Sequence, residues 1–124
     1  MKYCSISEAA AKFNITESTL RYYEKKGLLP LIERDHAGRR LFSENQMLLL
    51  ETVICLKNTH MSISSIKQYI DWVVVGDQTT ELRLEMMKNH KQAVLEEISL
   101  MTKSLEGIDL KINRYLKRTE QEKG

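Results

Sequence analysis

The chain has 124 residues, 42% of them apolar and 29% charged, with a formal net charge of +2. That suits one globular domain, or a small domain with an extended element, in the cytoplasm. No run approaches the ~18–20 apolar residues of a membrane span, and no basic segment followed by an apolar stretch marks a signal peptide at the start.

Ser7 is read as the cap of a first helix running through Glu8, Ala9, Ala10 and Phe13. Asn14-Ile15-Thr16 is a tight polar turn. Thr16 caps a second helix with Glu17 at its first position, followed by Leu20, Tyr23 and Glu24. Gly27 ends that helix and Pro30 prevents its resumption. A turn this short brings the two helices together at a steep angle. Leu31 to Phe42 is a hairpin candidate whose tip is Asp35-His36-Ala37-Gly38.

Ser43, with Gln46 three positions on, has the form of a capping box. It opens an apolar helix through Met47, Leu48, Leu50, Val53, Ile54 and Leu56, broken at 58–61. Ser62 caps a shorter helix with Ile63, Ile66, Tyr69, Ile70 and Val73 on one face, and 76–78 reads as a loop. The last helix is expected over 79–117, with 118–124 as a tail.

Alternating steps of three and four along that helix give Leu84, Met87, Lys91, Val94, Ile98, Met101, Leu105, Ile108, Ile112 and Tyr115. Only Lys91 interrupts this apolar heptad seam. A helix of roughly 57 Å cannot hide such a stripe against so small a head. An identical chain running antiparallel is the simplest partner, so a homodimer is expected.

Charge is uneven along the chain. Residues 1–42 carry 8 Lys/Arg against 5 Asp/Glu, residues 43–78 carry 2 against 4, and residues 79–124 carry 9 against 8. The positive excess falls on the two short helices and the hairpin. Two helices across a tight turn followed by a basic loop is the order that places one helix in a DNA groove and a second element on the backbone. Such an excess supplies the counterion-release part of the affinity.

The most specific blocks are SISEAAAKF, ESTLRYYEKKGLL, the wing GRRLF with SENQ after it, and MSISSIKQYI. Together they resemble the MerR family of bacterial transcription regulators, over about two-thirds of the chain. The resemblance implies a mainly α fold: a winged helix-turn-helix DNA-binding domain with linking helices over 1–76, and a long C-terminal dimerisation helix forming an antiparallel coiled coil. It also implies a mechanism. Such dimers bind a palindrome in a promoter whose −35 to −10 spacer is too long, and activate by bending and untwisting it for RNA polymerase. RNA polymerase is thus an indirect partner, and no enzyme activity or cofactor is expected.

By the same resemblance, Thr16, Glu17, Ser18, Arg21, Tyr22 and Lys25 lie on the groove-facing side of the second helix, and Arg39 and Arg40 on the wing. Arg21 has two open readings, a guanine or a phosphate. Tyr22 is expected at a phosphate and Tyr23 partly packed. Phe42 stands where the family usually has tyrosine, so it keeps the packing without a hydroxyl. Leu84, Met87, Val94, Ile98, Met101, Leu105, Ile108 and Ile112 are the dimerisation residues.

For the signal, the chain ends about seven residues after Lys117, so no further ligand-binding domain is expected. Cys4 and Cys55 form no disulfide or zinc pattern. With no cysteine beyond Cys55 and three scattered histidines, no metal site is expected. Cys55, in ICLKNTHMSISSIKQYIDW, resembles the single cysteine of the aldehyde- and thiol-stress-responsive (AdhR/NmlR-like) subgroup. Lys57 nearby is a positive charge of the kind that favours a thiolate. The alternatives are inert packing for Cys55, and an effector-independent architectural or excisionase-like DNA binder for the whole chain. A thiol enzyme would need a base close to Cys55; His60 is five residues on. Trp72 is either the wall of an effector pocket or an interface anchor.

Overall fold

The computed structural model describes residues 2–123. Its elements in chain order are α1 (Ile6–Phe13), α2 (Glu17–Lys25), β1 (Glu33–Arg34), β2 (Arg40–Leu41), α3 (Glu44–Asn58), α4 (Ile63–Val75), a 3-10 turn (Asp77–Thr79) and α5 (Thr80–Lys123). Among the described residues no helix is long and apolar enough to cross a membrane. The chain divides into two compact units, one up to Leu84 and one from Glu85 onward.

Helix α1 begins two residues earlier than the sequence suggests. Ser5, not Ser7, is the N-cap: its hydroxyl accepts from the Glu8 N–H at 3.1 Å and the Glu8 carboxylate accepts from the Ser5 N–H at 3.0 Å. Two orphan donors are satisfied reciprocally, because Glu8 sits at the third helical position after Ser5, whereas after Ser7 it would be only the first. The helix closes on Asn14 in the left-handed conformation (φ 54°), which asparagine tolerates better than most residues. The Ile15 N–H then reaches the Ala10 carbonyl at 3.0 Å. Ala9 and Ala10 are buried and have no side-chain bulk to hold α2 away.

Thr16 caps α2 as expected, accepting from the Thr19 N–H at 3.1 Å. Leu20 and Tyr23, one turn apart, are the buried face. The helix ends at Lys25, and Gly27 (φ 80°) turns the chain so that the Leu28 N–H returns to the Tyr23 carbonyl at 2.9 Å. Leu28 and Leu29 then enter the core.

The wing is a hairpin with a two-residue ladder, Glu33 opposite Leu41 and Arg34 opposite Arg40. An isolated bridge between Cys4 and Phe42 extends it, with the two N–H···O bonds at 2.9 and 2.8 Å. Phe42 is fully buried, consistent with a packing residue.

Ser43 caps α3 through the Gln46 N–H at 3.2 Å. The box is only half made, however. The Gln46 amide donates instead to the Pro30 carbonyl at 2.8 Å, tying α3 to the segment after α2. Met47, Leu50, Val53 and Leu56 form the buried face of α3, and Ile66 and Ile70 that of α4. Ser62 caps α4 as expected.

The segment expected as a loop at 76–78 runs into the 3-10 turn, which extends to Thr79. The buried Thr79 hydroxyl lies 2.6 Å from the Trp72 carbonyl and 2.7 Å from the Gly76 carbonyl. Arg83 also reaches back, to the Gly76 carbonyl at 3.3 Å. These bonds explain why the start of α5 belongs to the first unit. Residues 118–123, expected as a tail, continue the helix. Their sequence RTEQEK contains no glycine or proline and is rich in good helix formers.

Candidate nucleic-acid interface

The buried pair Leu20 and Tyr23 fixes which side of α2 faces outward. The outward side carries Ser18, Arg21, Tyr22 and Lys25, all exposed. Their spacing of three, four and seven puts them on one helical stripe. Arg21 is tethered to Glu17 one turn earlier at 3.4 Å and stays half exposed. Tyr22 is 45% exposed against 7% for Tyr23, so consecutive tyrosines have opposite fates, as their separation of about 100° around a helix requires. The Lys26 ammonium stands 5.7 Å from the Tyr22 ring centroid, a cation–π distance. Thr16 is committed to the cap, its hydroxyl also 2.9 Å from that of Thr19.

The wing separates the two arginines that the sequence pairs. Arg39 is outward, its side chain 80% exposed, with its Nε 2.9 Å from Asp35 Oδ2. Arg40 turns inward: its Nε donates to Glu24 Oε1 at 2.6 Å and its side chain is only 22% exposed. Arg34, which the sequence reading passed over, donates to the same carboxylate at 3.3 Å and to the Gly38 carbonyl at 2.9 Å. A signal for this was present. Two arginines opposite each other in a ladder repel and call for an anion, and Glu24 closes the preceding helix.

The tip is organised by Asp35. Its carboxylate accepts from the backbone N–H groups of Arg39 and Ala37, each at 2.9 Å, and from the Arg39 guanidinium. The Arg39 backbone bond does most to hold the Asp35 carboxyl below its ordinary range, against a smaller opposing effect of desolvation.

Cys55 is exposed near the end of α3, away from the buried face. Cys4 is half-buried in the bridge with Phe42 and lines a groove of about 400 Å³ together with Lys12, Phe13, Met47 and Leu48. Among the described residues no group of three or more His, Cys, Asp or Glu could hold a metal ion. Trp72 is half-buried, and its carbonyl also takes the Gly76 N–H at 3.0 Å.

On α5 no residue is buried. Of the eight expected dimerisation residues, Leu84, Ile98, Met101, Leu105, Ile108 and Ile112 are 50–73% exposed. Met87 and Val94 are intermediate.

Residues 4–71 match the model of the MerR HTH family regulatory proteins. The chain is 37% identical to an uncharacterised HTH-type transcriptional regulator of Haemophilus influenzae over 111 residues, 90% of this chain and 82% of the relative. It is 33% identical to the HTH-type transcriptional regulator AdhR of Bacillus subtilis over 92 residues, 74% of this chain and 66% of that one. Among solved structures it is similar to HiNmlR, described as a MerR family regulator lacking the sensor domain, bound to promoter DNA. That likeness has a TM-score of 0.87 and 35% identity, over 94% of this chain and 92% of the other. A MerR family transcriptional regulator from Bacillus thuringiensis gives a TM-score of 0.86 and 42% identity, over 91% and 99%.

Proposed function

This chain belongs to the MerR family of helix-turn-helix transcriptional regulators, and on that premise we propose that two copies grip one palindromic promoter site and activate by distorting it, in response to aldehyde, other electrophile or thiol stress at Cys55. The observation that carries the DNA reading is the exposed stripe of Ser18, Arg21, Tyr22 and Lys25 on a helix tied directly to a wing that presents Arg39. A recognition helix supplies base-edge and phosphate donors, and a wing alongside it supplies backbone contacts. The solved HiNmlR complex with promoter DNA, similar over most of this chain, supports the same reading.

Pairing through α5 is supported by its apolar seam, on a helix with no buried residue. In the pair, two stripes address two half-sites, and the deformation of the DNA between them is the regulatory output. RNA polymerase then responds to the shape of the promoter. The place of action is the cytoplasm, where bacterial promoters are.

The effector assignment rests on Cys55 being exposed, which a reacting thiol requires, and on the likeness to AdhR. Addition of the thiol to a carbonyl carbon gives a hemithioacetal, the thiol proton passing to the carbonyl oxygen. The deciding experiment compares wild type and Cys55→Ala for promoter binding and transcription in vitro, with and without formaldehyde or diamide. The wild type is expected to change its transcription with either reagent while the variant binds DNA and does not respond. A variant that responds like the wild type would end the Cys55 assignment. A wild type that binds and responds to neither reagent would favour an effector-independent architectural binder.

A further inference from the structure

We propose that Glu24 is a positioning residue for DNA recognition: it sets the wing against α2 and holds Arg34 and Arg40 away from the phosphates. The proposal rests on the DNA-binding reading above. The ladder of the wing is only two residues long, and a hairpin that short does not fix its own direction. Direction must come from contacts outside it. Beside the Cys4–Phe42 bridge, which holds only the end of β2, Glu24 makes such contacts with both arms of the hairpin at once. Its Oε1 accepts from Arg40 Nε at 2.6 Å and from Arg34 Nη2 at 3.3 Å, and Oε2 lies 3.4 Å from the same Arg34 nitrogen.

Arg34 and Arg40 face each other in the register, so the carboxylate also screens two like charges that would otherwise push the arms apart. The other end of the Arg34 guanidinium reaches the Gly38 carbonyl at 2.9 Å. One acid on the recognition helix is thereby connected to the tip of the wing.

The arrangement divides the wing's charge into two kinds. Arg39 is the outward cation, while Arg34 and Arg40 are 43% and 22% exposed and share one counter-charge. A cation that reaches a phosphate adds about 0.9 to the slope of log affinity against log salt. That gain is independent of sequence. Holding two arginines on Glu24 therefore withholds indiscriminate affinity, and it fixes the distance between the α2 stripe and the wing that a particular groove geometry must match. Glu24 acts through the arginines and does not itself need to touch DNA.

The test uses the full-length protein and two duplexes of equal length: the palindrome the protein enriches from a random pool, and a scrambled version. Binding is followed by fluorescence anisotropy across a salt series. For Glu24→Gln the expected result is a slope on the scrambled duplex steeper by about one to two, with the palindrome-to-scrambled affinity ratio reduced about tenfold. Arg40→Gln is expected to reduce the same ratio with the slope unmoved, whereas Arg39→Gln should lower the slope by about one. If Glu24→Gln keeps the wild-type slope and ratio, or if Arg40→Gln lowers the slope as Arg39→Gln does, the proposal is wrong. Should Glu24→Gln fail to fold, the two arginine slopes decide alone. A wild type whose affinity for both duplexes ignores salt would remove the DNA-binding reading itself; an ordinary wild-type slope leaves that reading standing whatever becomes of Glu24.

Discussion

Among the described residues, every buried hydrophobic side chain, from Ala9 to Ile70, lies in the unit that ends at Leu84, and α5 has none. Both regions carry well-patterned apolar residues. The first unit folds its pattern onto itself: α1 meets α2, α3 meets α4, and short polar caps close each helix. The helix beyond repeats its pattern every seven residues in one direction, and a single straight helix cannot turn its stripe upon itself. The difference teaches that apolar periodicity specifies a core in one region and, on the pairing proposed above, an interface in the other. Substitutions should separate the two.

The largest effect is expected at the middle of the seam. The eight expected dimerisation residues run from Leu84 to Ile112, with Ile98 midway. An antiparallel pair in full register sets the two copies of residue 98 side by side. Ile98→Lys then places two ammonium ions together in an apolar seam, at several kcal/mol for each buried ion. The variant should elute as a monomer from a sizing column and lose operator binding by about a thousandfold or more, a factor of ten for each 1.4 kcal/mol. The near-ultraviolet signal of the first unit should persist. An unchanged elution volume would mean that α5 pairs through another face or not at all.

Leu50→Ala is the complementary break. Leu50 is fully buried on α3, and a truncation of this kind costs about 2–5 kcal/mol according to how far the cavity collapses. The midpoint of urea unfolding, followed by tyrosine fluorescence, should shift down by that cost divided by the m-value, about 1–3 kcal/mol/M in urea. Below the transition the protein should still elute as a dimer. If pairing fails together with the core, the two regions are not separable.

How far each region could be read in advance follows the same division. The Thr16 and Ser62 caps and the Asn14 turn are local patterns, visible within a few residues of sequence. The Ser5 cap was equally local, since Ser5 and Glu8 have the spacing of a capping box; the nearer Ser7 obscured it. Gln46 was a different matter. Its amide finds Pro30, sixteen residues back, and no local rule could divert it from the box. Arg40 and Glu24 are likewise sixteen apart, so the adjacent Arg39 and Arg40 read alike and fold differently. The exposure of Cys55 follows from helix geometry: the core face is set by Val53 and Leu56, and residue 55 points away from the line between them despite its apolar neighbours.

A smaller effect is expected where a cap serves α2, the helix proposed to face DNA. The Thr16 hydroxyl accepts from the Thr19 N–H, and replacing such a cap by alanine costs about 1 kcal/mol. Thr16→Ala should lower the midpoint of urea unfolding modestly, without changing elution. Operator affinity should drop more than that of the scrambled duplex, because the first turn of α2 loses its fixed entry. Equal losses on both duplexes would show that the start of α2 does not read the site.

The smallest and most local test is acid. Asp35 is held below its ordinary range by the Arg39 backbone N–H first, with the Ala37 N–H and the Arg39 guanidinium adding to it. Glu8 is lowered by the Ser5 backbone N–H and then by the Ser5 side chain. Both groups lie in the first unit. For a carboxyl whose folded pKa is depressed, the stabilisation is complete above the unfolded value, near 3.9 for aspartate and 4.3 for glutamate. It is lost as pH falls through the folded value. The wing tip and the start of α1 should therefore hold from neutral pH to about pH 4 and loosen below it. Amide protection at Ala37 and Arg39 should fall as the pH drops below about 4, and so should protection at Ser5, whose N–H donates to the Glu8 carboxylate. In Asp35→Asn the two wing amides should be poorly protected at every pH, with the Ser5 amide unaffected. Wild-type protection at Ala37 and Arg39 that persists unchanged well below pH 4 would mean that the carboxylate does not organise the tip, leaving the backbone turn at Gly38 to present Arg39 unaided.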